Sequence, residues 1–482
     1  MVKGLFPSPT LPPPDRGILL GFSQHPTDPS RFCSPVYWRF EQRPRHSIVV
    51  GGSGMGKSML LRVMMRQDIE QGNGFALFDP HGELVEAILF ECSHYPVLEK
   101  VWLIEPHSSF TLPLNPLSVP EGLPLYPQVL TLLDLFKRSW SDFWGPRIEE
   151  VMRASLITLA EQKLTLAELP LILMEPSIRK ALTNSIQHEE TKQFWRRFDS
   201  LSPSLQALYA EPVINRVNRF LSDPSIKAML CSQNGINFAE LMDKGAIILI
   251  NLSKGQLKEL SLIGSLLLAQ FYWAALSRLN KLSHQRRLFT IYLDEFQNFL
   301  TDAGHAEDML AEVRKCKVGL VMVTQCLAFL DRTLRASVLA NTTLQIFFRL
   351  NPQDAGLVSG EISLANRKFW MQKLLTLPPR YAVCLLRGES KPSILRTPDC
   401  LDYFDPDTLL KVREIVAQRH GRKKEDVLKE IRERQERLRR LEFKGGENDG
   451  AGRSSTSTRR QRGAVSAPRK PAIPSFKEAE PF

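Results

Sequence analysis

The sequence lacks the cysteine patterns of disulfide-stapled and zinc-binding proteins. Its 482 residues include seven cysteines, which are scattered singly and never form a C-x-x-C pair. An odd number of isolated cysteines is typical of reduced thiols. We therefore expect neither a disulfide framework nor a zinc site, and a cytoplasmic rather than an extracellular protein.

The sequence also has little that could cross a membrane. Residues 1–16 are rich in proline and contain no apolar core of a signal peptide. The run 260–277 carries no charge, but it is at the lower length limit for a span and contains three serines and a glutamine. Strand-like runs bracket it, so we predict a helix buried against a sheet and no intrinsic transmembrane segment.

Acidic residues are fewer than basic ones. The chain has 52 Asp and Glu against 63 Lys and Arg, which gives a formal net charge of +11. A basic surplus favours a polyanionic partner, such as nucleic acid or an anionic membrane face. The hydrophobic share of 43% is ordinary for a globular protein, and the length allows more than one domain.

Short apolar runs alternate with helical patterns along most of the chain. Such runs joined by helices indicate an α/β fold with a mostly parallel sheet covered on both faces. Between about residues 123 and 237 helical patterns follow one another without a convincing strand, so we predict an inserted all-α domain. The predicted strands are 46–52, 74–80, 101–106, 245–252, 288–295, 318–325, 343–350 and 381–387.

Composition changes towards the C-terminus. A charged helix is predicted over 408–444, because opposite charges recur there four residues apart. From residue 445 onward the composition is typical of a disordered basic tail. The predicted segments are 1–16 (proline-rich), 17–122 (first part of the α/β core), 123–237 (all-α insertion), 238–407 (second part of the core), 408–444 (charged helix) and 445–482 (tail).

A glycine-rich stretch follows the first predicted strand of the core. It fits the pattern G-x-x-x-x-G-K-[ST], in which glycines let backbone N–H groups curl around phosphate oxygens. Lys57 would reach the β- and γ-phosphates, and the Ser58 hydroxyl would bind Mg²⁺. The alternative is a glycine-rich turn without a ligand, but a strand before the motif and a helix after it favour phosphate binding. The motif consists of Gly51, Gly52, Ser53, Gly54, Met55, Gly56, Lys57 and Ser58.

Acidic and amide side chains end two further predicted strands. Asp294 and Glu295 follow "FTIYL", at the strand end where α/β proteins place their sites. Asp294 would hold the Mg²⁺ shell, and Glu295 would orient and deprotonate an attacking water. Gln325 ends "VGLVMVTQ" and would contact the γ-phosphate or the water, unless it is a simple strand-end amide.

The stretch "FALFDPHGEL" predicts a strand, a turn and a helix. His81 and Glu83 follow Asp79 in the turn. They could approach the nucleotide or a neighbouring subunit, but a single histidine without partner ligands is as often structural. Both interpretations stay open at this point.

Together these motifs resemble those of the HerA/FtsK-like P-loop ATPases, and in particular the TraG/TraD-like coupling ATPases of type IV secretion. The resemblance covers about residues 17–400 and extends to "LPLNPLS", "GAIILINLSKGQL" and "NTTLQIFFRLNPQDA". It implies a RecA-like core and a ring, usually of six subunits, with ATP and Mg²⁺ bound between neighbours and DNA moved through the centre. It also implies that Arg314 is an arginine finger reaching a neighbour's γ-phosphate, with Arg349 a weaker second candidate.

The leading function is therefore an ATP-driven DNA translocase of the conjugative coupling type, with secretion-channel or relaxase proteins as candidate partners. Membrane-anchored coupling ATPases carry N-terminal transmembrane helices, so we expect a relative without them, either cytoplasmic or peripheral at the inner face of the membrane. Two alternatives remain. One is a HerA-like motor working with a separate nuclease, and the other is a non-catalytic, nucleotide-gated platform that recruits DNA–protein substrates.

Overall fold

The computed structural model describes residues 17–25, 28, 31–142, 144–253, 257–300, 303–388, 392–399 and 404–446. Within these residues an eleven-stranded sheet forms the core, and a two-stranded sheet lies beside it. All eight strands predicted from sequence are present. The strands are β1 Ile18–Gln24, β2 Phe32–Trp38, β3 Ser47–Val50, β4 Gly74–Asp79, β5 Val101–Ile104, β6 Phe110–Thr111, β7 Ile247–Asn251, β8 Phe289–Leu293, β9 Val318–Thr324, β10 Leu344–Phe347, β11 Tyr381–Leu386, β12 Ser393–Arg396 and β13 Arg422–Lys423.

The large sheet is parallel along most of its width and antiparallel at one side. Its order is β2-β1-β12-β11-β10-β3-β9-β8-β4-β7-β5. The strands from β10 to β5 pair in parallel, and those from β10 to β2 pair antiparallel. The carboxyl ends of β3, β4, β8, β9 and β10 therefore meet at one edge. The predicted mostly parallel α/β sheet is confirmed.

Helices cover both faces of the sheet, and many begin at a side-chain cap. Ser202, Asn237, Asp331 and Asn351 each accept a backbone N–H of the helix that follows. The helices are α1 Lys57–Glu70, α2 Glu83–Cys92, α3 Leu125–Ser139, α4 Pro146–Glu161, α5 Leu169–Met174, α6 Pro176–Thr183, α7 Glu189–Asp199, α8 Pro203–Phe220, α9 Pro224–Leu230, α10 Phe238–Lys244, α11 Leu257–Ser277, α12 Ala303–Glu312, α13 Arg332–Asn341, α14 Pro352–Ile362, α15 Arg367–Thr376, α16 Pro406–His420 and α17 Lys424–Gly446.

The strands alternate their side chains between two apolar layers. Val49 and Leu77 face the layer that includes α1 and α2, whereas Ile48 and Phe78 face the layer that includes α11. The stretch Glu259–Asn280 is the one helix of the described residues that is long and apolar enough to span a membrane, and 67% of its apolar window is buried. It is the core helix that the sequence predicts, with the Phe271 ring against Phe78.

Helices alone occupy the predicted insertion, where the described residues 123–142 and 144–237 contain no strand. Their apolar and aromatic side chains are largely buried among one another. Trp195, for example, is 2% exposed and its indole N–H donates to the Thr158 hydroxyl. The domain limits at 122, 237 and 407 remain predictions, because the helical core is continuous with one layer of the sheet.

The prediction of a single charged helix over 408–444 was wrong. The segment is two helices, α16 and α17, separated at Gly421, where a side chain would meet the Ala417 carbonyl oxygen at 2.4 Å. Between them β13 pairs with β6. Charge pairs alone do not support α17, because Val427 and Ile431 are buried. The predicted tail lies outside the described residues from 447 onward, as do residues 1–16.

Candidate functional site

The glycine-rich motif forms a loop between β3 and α1, at the carboxyl edge of the parallel strands. The Gly51 N–H donates to the Thr324 carbonyl, and the Gly52 N–H donates to the Arg349 carbonyl. The loop is thereby fixed to the ends of β9 and β10. A side chain on Gly51 would lie 2.5 Å from Cβ of Phe348, and Gly54 and Gly56 have positive φ angles of 73° and 108°. These positions therefore need glycine.

Lys57 opens α1 and reaches back over the loop. Its side chain is 8% exposed, and Nζ lies 3.2 Å from the Gly52 carbonyl oxygen. Burial lowers the pKa of Lys57, which the nearby carboxylates of Glu295 and Asp294 partly oppose. Ser58 follows on the exposed side of the helix. The loop, the start of the helix and the lysine surround one position, where an anion would meet N–H groups and a cation.

Asp294 and Glu295 follow β8, at the strand end where the sequence predicts them, and their charges act on Lys57. The Asp294 N–H donates to the Phe78 carbonyl of β4, and both carboxylates are less than a tenth exposed. Burial raises the pKa of Asp294 to about 7, and the charges of Asp79 and Glu295 act in the same direction. Three acidic side chains thus share a partly desolvated space next to the loop.

Two glutamine amides hold the Glu295 carboxylate. Gln325, at the end of β9, donates from Nε2 to Oε1 at 2.8 Å. Gln297, in the turn after β8, donates from Nε2 to Oε2 at 2.7 Å. Glu295 itself has a positive φ of 45°, which is uncommon for a residue with a side chain. Sequence reasoning missed Gln297, although a polar residue two positions after the acidic pair was the available signal.

The turn after β4 is built by Asp79. Its carboxylate accepts the N–H groups of His81, Leu84 and Val85, and thus caps α2. Position 82 requires glycine, because a Cβ atom there would lie 2.6 Å from the Ser253 hydroxyl oxygen. His81 is exposed, and its charge lowers the pKa of Asp294. The histidine therefore lies on the same edge as the acidic pair.

Arg314 lies away from this constellation. It is exposed in the turn after α12, and its charge lowers the pKa of His46, the residue that precedes β3. The phosphate-loop motif begins at the other end of β3, and four strand residues span about 13 Å. Arg349 is closer: its side chain is exposed where its carbonyl anchors Gly52. The structure brings together Lys57, Asp294, Glu295 and Gln325, but not Arg314.

Comparisons with known proteins agree with this geometry. Residues 34–271 match the family model for the central domain of the helicase HerA. The chain therefore contains a P-loop ATPase domain of the HerA type. A comparison with curated protein sequences found no relative.

Solved structures with the same fold as this ATPase include those of two proteins. A bacterial conjugative coupling protein, TrwB, is 16% identical with a TM-score of 0.52, over 76% of this chain and 88% of that chain. VirB4 of Thermoanaerobacter pseudethanolicus is 16% identical with a TM-score of 0.55, over 82% of this chain and 98% of that chain. TrwB has also been solved with ADP and Mg²⁺, again at 16% identity and a TM-score of 0.52, over 78% and 90% of the two chains.

The residues of the ATPase site fit ATP and Mg²⁺. The loop and Lys57 suit phosphate oxygens, and the Ser58 hydroxyl with the Asp294 carboxylate suits a hard cation. The described residues contain no cluster of three or more His, Cys, Asp and Glu side chains that could hold a metal ion. Mg²⁺ usually takes one or two protein ligands together with waters and phosphate oxygens, and Ser58 and Asp294 would supply two.

Proposed function

We propose that this ATPase is a DNA-translocating motor of the conjugative coupling-protein type, working as a ring in which ATP lies between neighbouring subunits. The observation that carries the proposal is the separation of Arg314 from Lys57 and Glu295. One copy holds a phosphate loop without Arg314, and presents Arg314 at the opposite end of β3. A head-to-tail arrangement of identical subunits joins the two halves, and a closed head-to-tail arrangement is a ring. Six subunits are expected from the resemblance.

Each residue of the site then has a defined task. Lys57 and the loop N–H groups bind and orient the phosphates, and Ser58 and Asp294 hold Mg²⁺, which neutralises charge on the phosphate oxygens. Glu295 takes the proton that the attacking water loses as its oxygen bonds to the γ-phosphorus. The bond to ADP breaks with its electron pair remaining on ADP. Arg314 of a neighbour stabilises the charge that develops during this transfer.

DNA is the proposed partner because of charge and similarity. The net charge of +11 suits binding through the phosphate backbone, which tolerates any sequence. TrwB, which shares the fold, is a conjugative coupling protein. We therefore propose secretion-channel or relaxase proteins as further partners, and a location in the cytoplasm or at the inner face of the membrane.

A HerA-like role in DNA-end processing is the second candidate. The match of residues 34–271 to the central domain of HerA favours it. In that role the same motor would work with a separate nuclease. A non-catalytic recruiting platform is less well supported, because a pure nucleotide switch has no need of a carboxylate held like that of Glu295.

The test is ATP hydrolysis with and without DNA, together with displacement of a protein block from labelled DNA. Wild-type protein should hydrolyse ATP faster with DNA and remove the block. Lys57→Ala and Glu295→Gln should abolish both activities, whereas Lys429→Ala and Glu436→Gln, at exposed positions of α17, should change neither. Hydrolysis that DNA does not stimulate, without displacement, would contradict the motor. Nucleotide binding without any turnover would favour the platform.

A further inference from the structure

Gln297 grips the Glu295 carboxylate from within the same turn. The turn spans Phe296–Asn298 and directly follows Glu295. The 2.7 Å contact from Gln297 Nε2 to Glu295 Oε2 joins residues two apart in sequence, whereas the 2.8 Å contact from Gln325 joins residues thirty apart that follow different strands. Gln297 is therefore part of the unit that carries Glu295.

The Gln325 amide can move away from the Glu295 carboxylate more easily than the Gln297 amide can. Gln325 is exposed and stands on the edge of the phosphate loop, because β9 is the strand next to β3. Its Nε2 can exchange the carboxylate for another acceptor, such as a phosphate oxygen. Gln297 is partly buried and has a short, local link to Glu295. If Gln325 exchanged its partner in this way, the Gln297 contact with Oε2 would remain and Oε1 would be free.

The orientation of the Gln297 amide that makes this hydrogen bond lowers the stability of the fold, because of the position of its carbonyl oxygen. Its Oε1 is buried, and no donor reaches it among the described residues. Buried amide oxygens are nearly always paired, and an unpaired one opposes folding. Rotating the amide would not help, since it would place Oε1 against the Glu295 carboxylate. The amide is therefore oriented by its hydrogen bond to Glu295, and Oε1 has no donor among the described residues.

We propose that Gln297 is a positioning residue for ATP hydrolysis, holding Oε2 of Glu295 so that Oε1 faces the attacking water once Gln325 lets go. This inference rests on the proposed role of Glu295 as the base. The backbone alone does not fix the carboxylate, because rotation about the side-chain bonds of Glu295 moves both oxygens. A base that is misplaced by about 1 Å loses on the order of 100-fold in rate.

The decisive variant is Gln297→Met, which keeps the length of the side chain and removes both the NH2 donor and the C=O acceptor of the amide. We expect kcat to fall by about 10- to 100-fold, with KM and the affinity for a fluorescent ATP analogue changed less than about twofold. We also expect the melting temperature to stay the same or rise, because the unpaired Oε1 is gone. The matched control is Gln345→Met, on β10, whose Oε1 is also buried and unpaired. It should leave kcat unchanged.

Gln297→Asn is the second variant, because it keeps an amide but draws it back by one methylene. It should show the same loss of kcat. Unchanged kcat in both Gln297 variants would overturn the proposal. A loss of kcat/KM that comes entirely from a higher KM would overturn it as well. A fall in melting temperature with unchanged kcat in the folded fraction would reduce Gln297 to a structural role.

A double-mutant cycle separates this inference from the proposed function. In a Glu295→Gln background, Gln297→Met should cause no further loss of the residual single-turnover rate, which a high enzyme concentration makes measurable, because the two residues act as one unit. A full additional loss would mean that Gln297 does not act through Glu295. If Glu295→Gln alone keeps wild-type turnover, the assignment of the base fails instead, whatever Gln297 does.

Discussion

His46 should make the stability of this ATPase depend on pH. Its side chain is 1% exposed, and its Nδ1 accepts the Leu320 N–H at 3.0 Å. Nε2 lies 2.8 Å from the Leu310 carbonyl oxygen. Because that oxygen can only accept, Nε2 must carry the proton, and the neutral ring satisfies both partners. A second proton on Nδ1 would face the Leu320 N–H.

Burial lowers the pKa of His46 from its usual 6.5 to about 4; the hydrogen bond to Leu310 opposes this shift, and the charge of Arg314 adds to it. The unfolded chain therefore binds a proton at higher pH than the folded one. The contribution to the free energy of unfolding is complete well above pH 6.5 and is lost as the pH falls towards 4. A shift of this size is worth about 3 kcal/mol in total, of which about 2 kcal/mol is lost between pH 7 and pH 5.

Urea unfolding at pH 7 and pH 5 measures this effect. His46→Asn keeps an acceptor for Leu320, suits the positive φ of 61° and does not titrate. Wild-type protein should lose about 2 kcal/mol more than His46→Asn between the two pH values. His284→Asn, at an exposed position, should follow the wild type. Identical pH dependence in wild type and His46→Asn would refute the reasoning.

Two further predictions concern the nucleotide site. Lys57→Ala and Arg314→Ala should each be inactive alone. An equal mixture that exchanges subunits should recover about a quarter of the wild-type ATPase activity, because about a quarter of the head-to-tail interfaces then have both groups intact. A mixture as inactive as its parts would refute an arginine finger that acts between subunits. Gly51→Ala should weaken ATP binding at least about tenfold in a nucleotide titration, because its Cβ would lie 2.5 Å from Phe348 Cβ, while Gly145→Ala, with open space around it, should bind normally.

The sequence predicts best what depends on neighbouring residues. The phosphate loop, the acidic pair after β8 and Gln325 after β9 could all be predicted, because each is a short motif tied to a strand end. Parallel strands then bring these ends to one edge whatever the loops between them do. The grip of Gln297 on Glu295 could not be predicted, since it depends on the backbone of one turn, whose first residue has a positive φ.

The antiparallel side of the sheet shows the limit of such reasoning. Strand β1 near the N-terminus pairs with β12, with Phe22 opposite Arg396. Nothing local in either segment specifies a partner so far along the chain. The C-terminal charged segment was misjudged for the same reason: its charge pattern suits a helix in solvent, but Gly421 and the strand β13 turn it back onto the molecule.

Arg434 is the clearest test of whether α17 is held by more than its exposed charges. Its guanidinium contacts Glu168 at 3.0 Å, with the two side chains 8% and 0% exposed, and also donates to the Thr165 hydroxyl and the Cys231 carbonyl. Arg434→Met should lower the free energy of unfolding by about 3 kcal/mol, because Glu168 is left buried without its cation.

A double variant that also removes the acid distinguishes the effect of breaking the ion pair from the effect of lost packing. Arg434→Met with Glu168→Leu should recover a large part of that loss, since no unpaired charge remains, although Glu168 also accepts the Thr165 N–H. Arg437→Met, at an exposed position of the same helix, should cost less than about 0.5 kcal/mol. If the double variant is instead as unstable as the sum of its parts, the ion pair does not fix α17, and other contacts, such as those of the buried Val427 and Ile431, hold the helix.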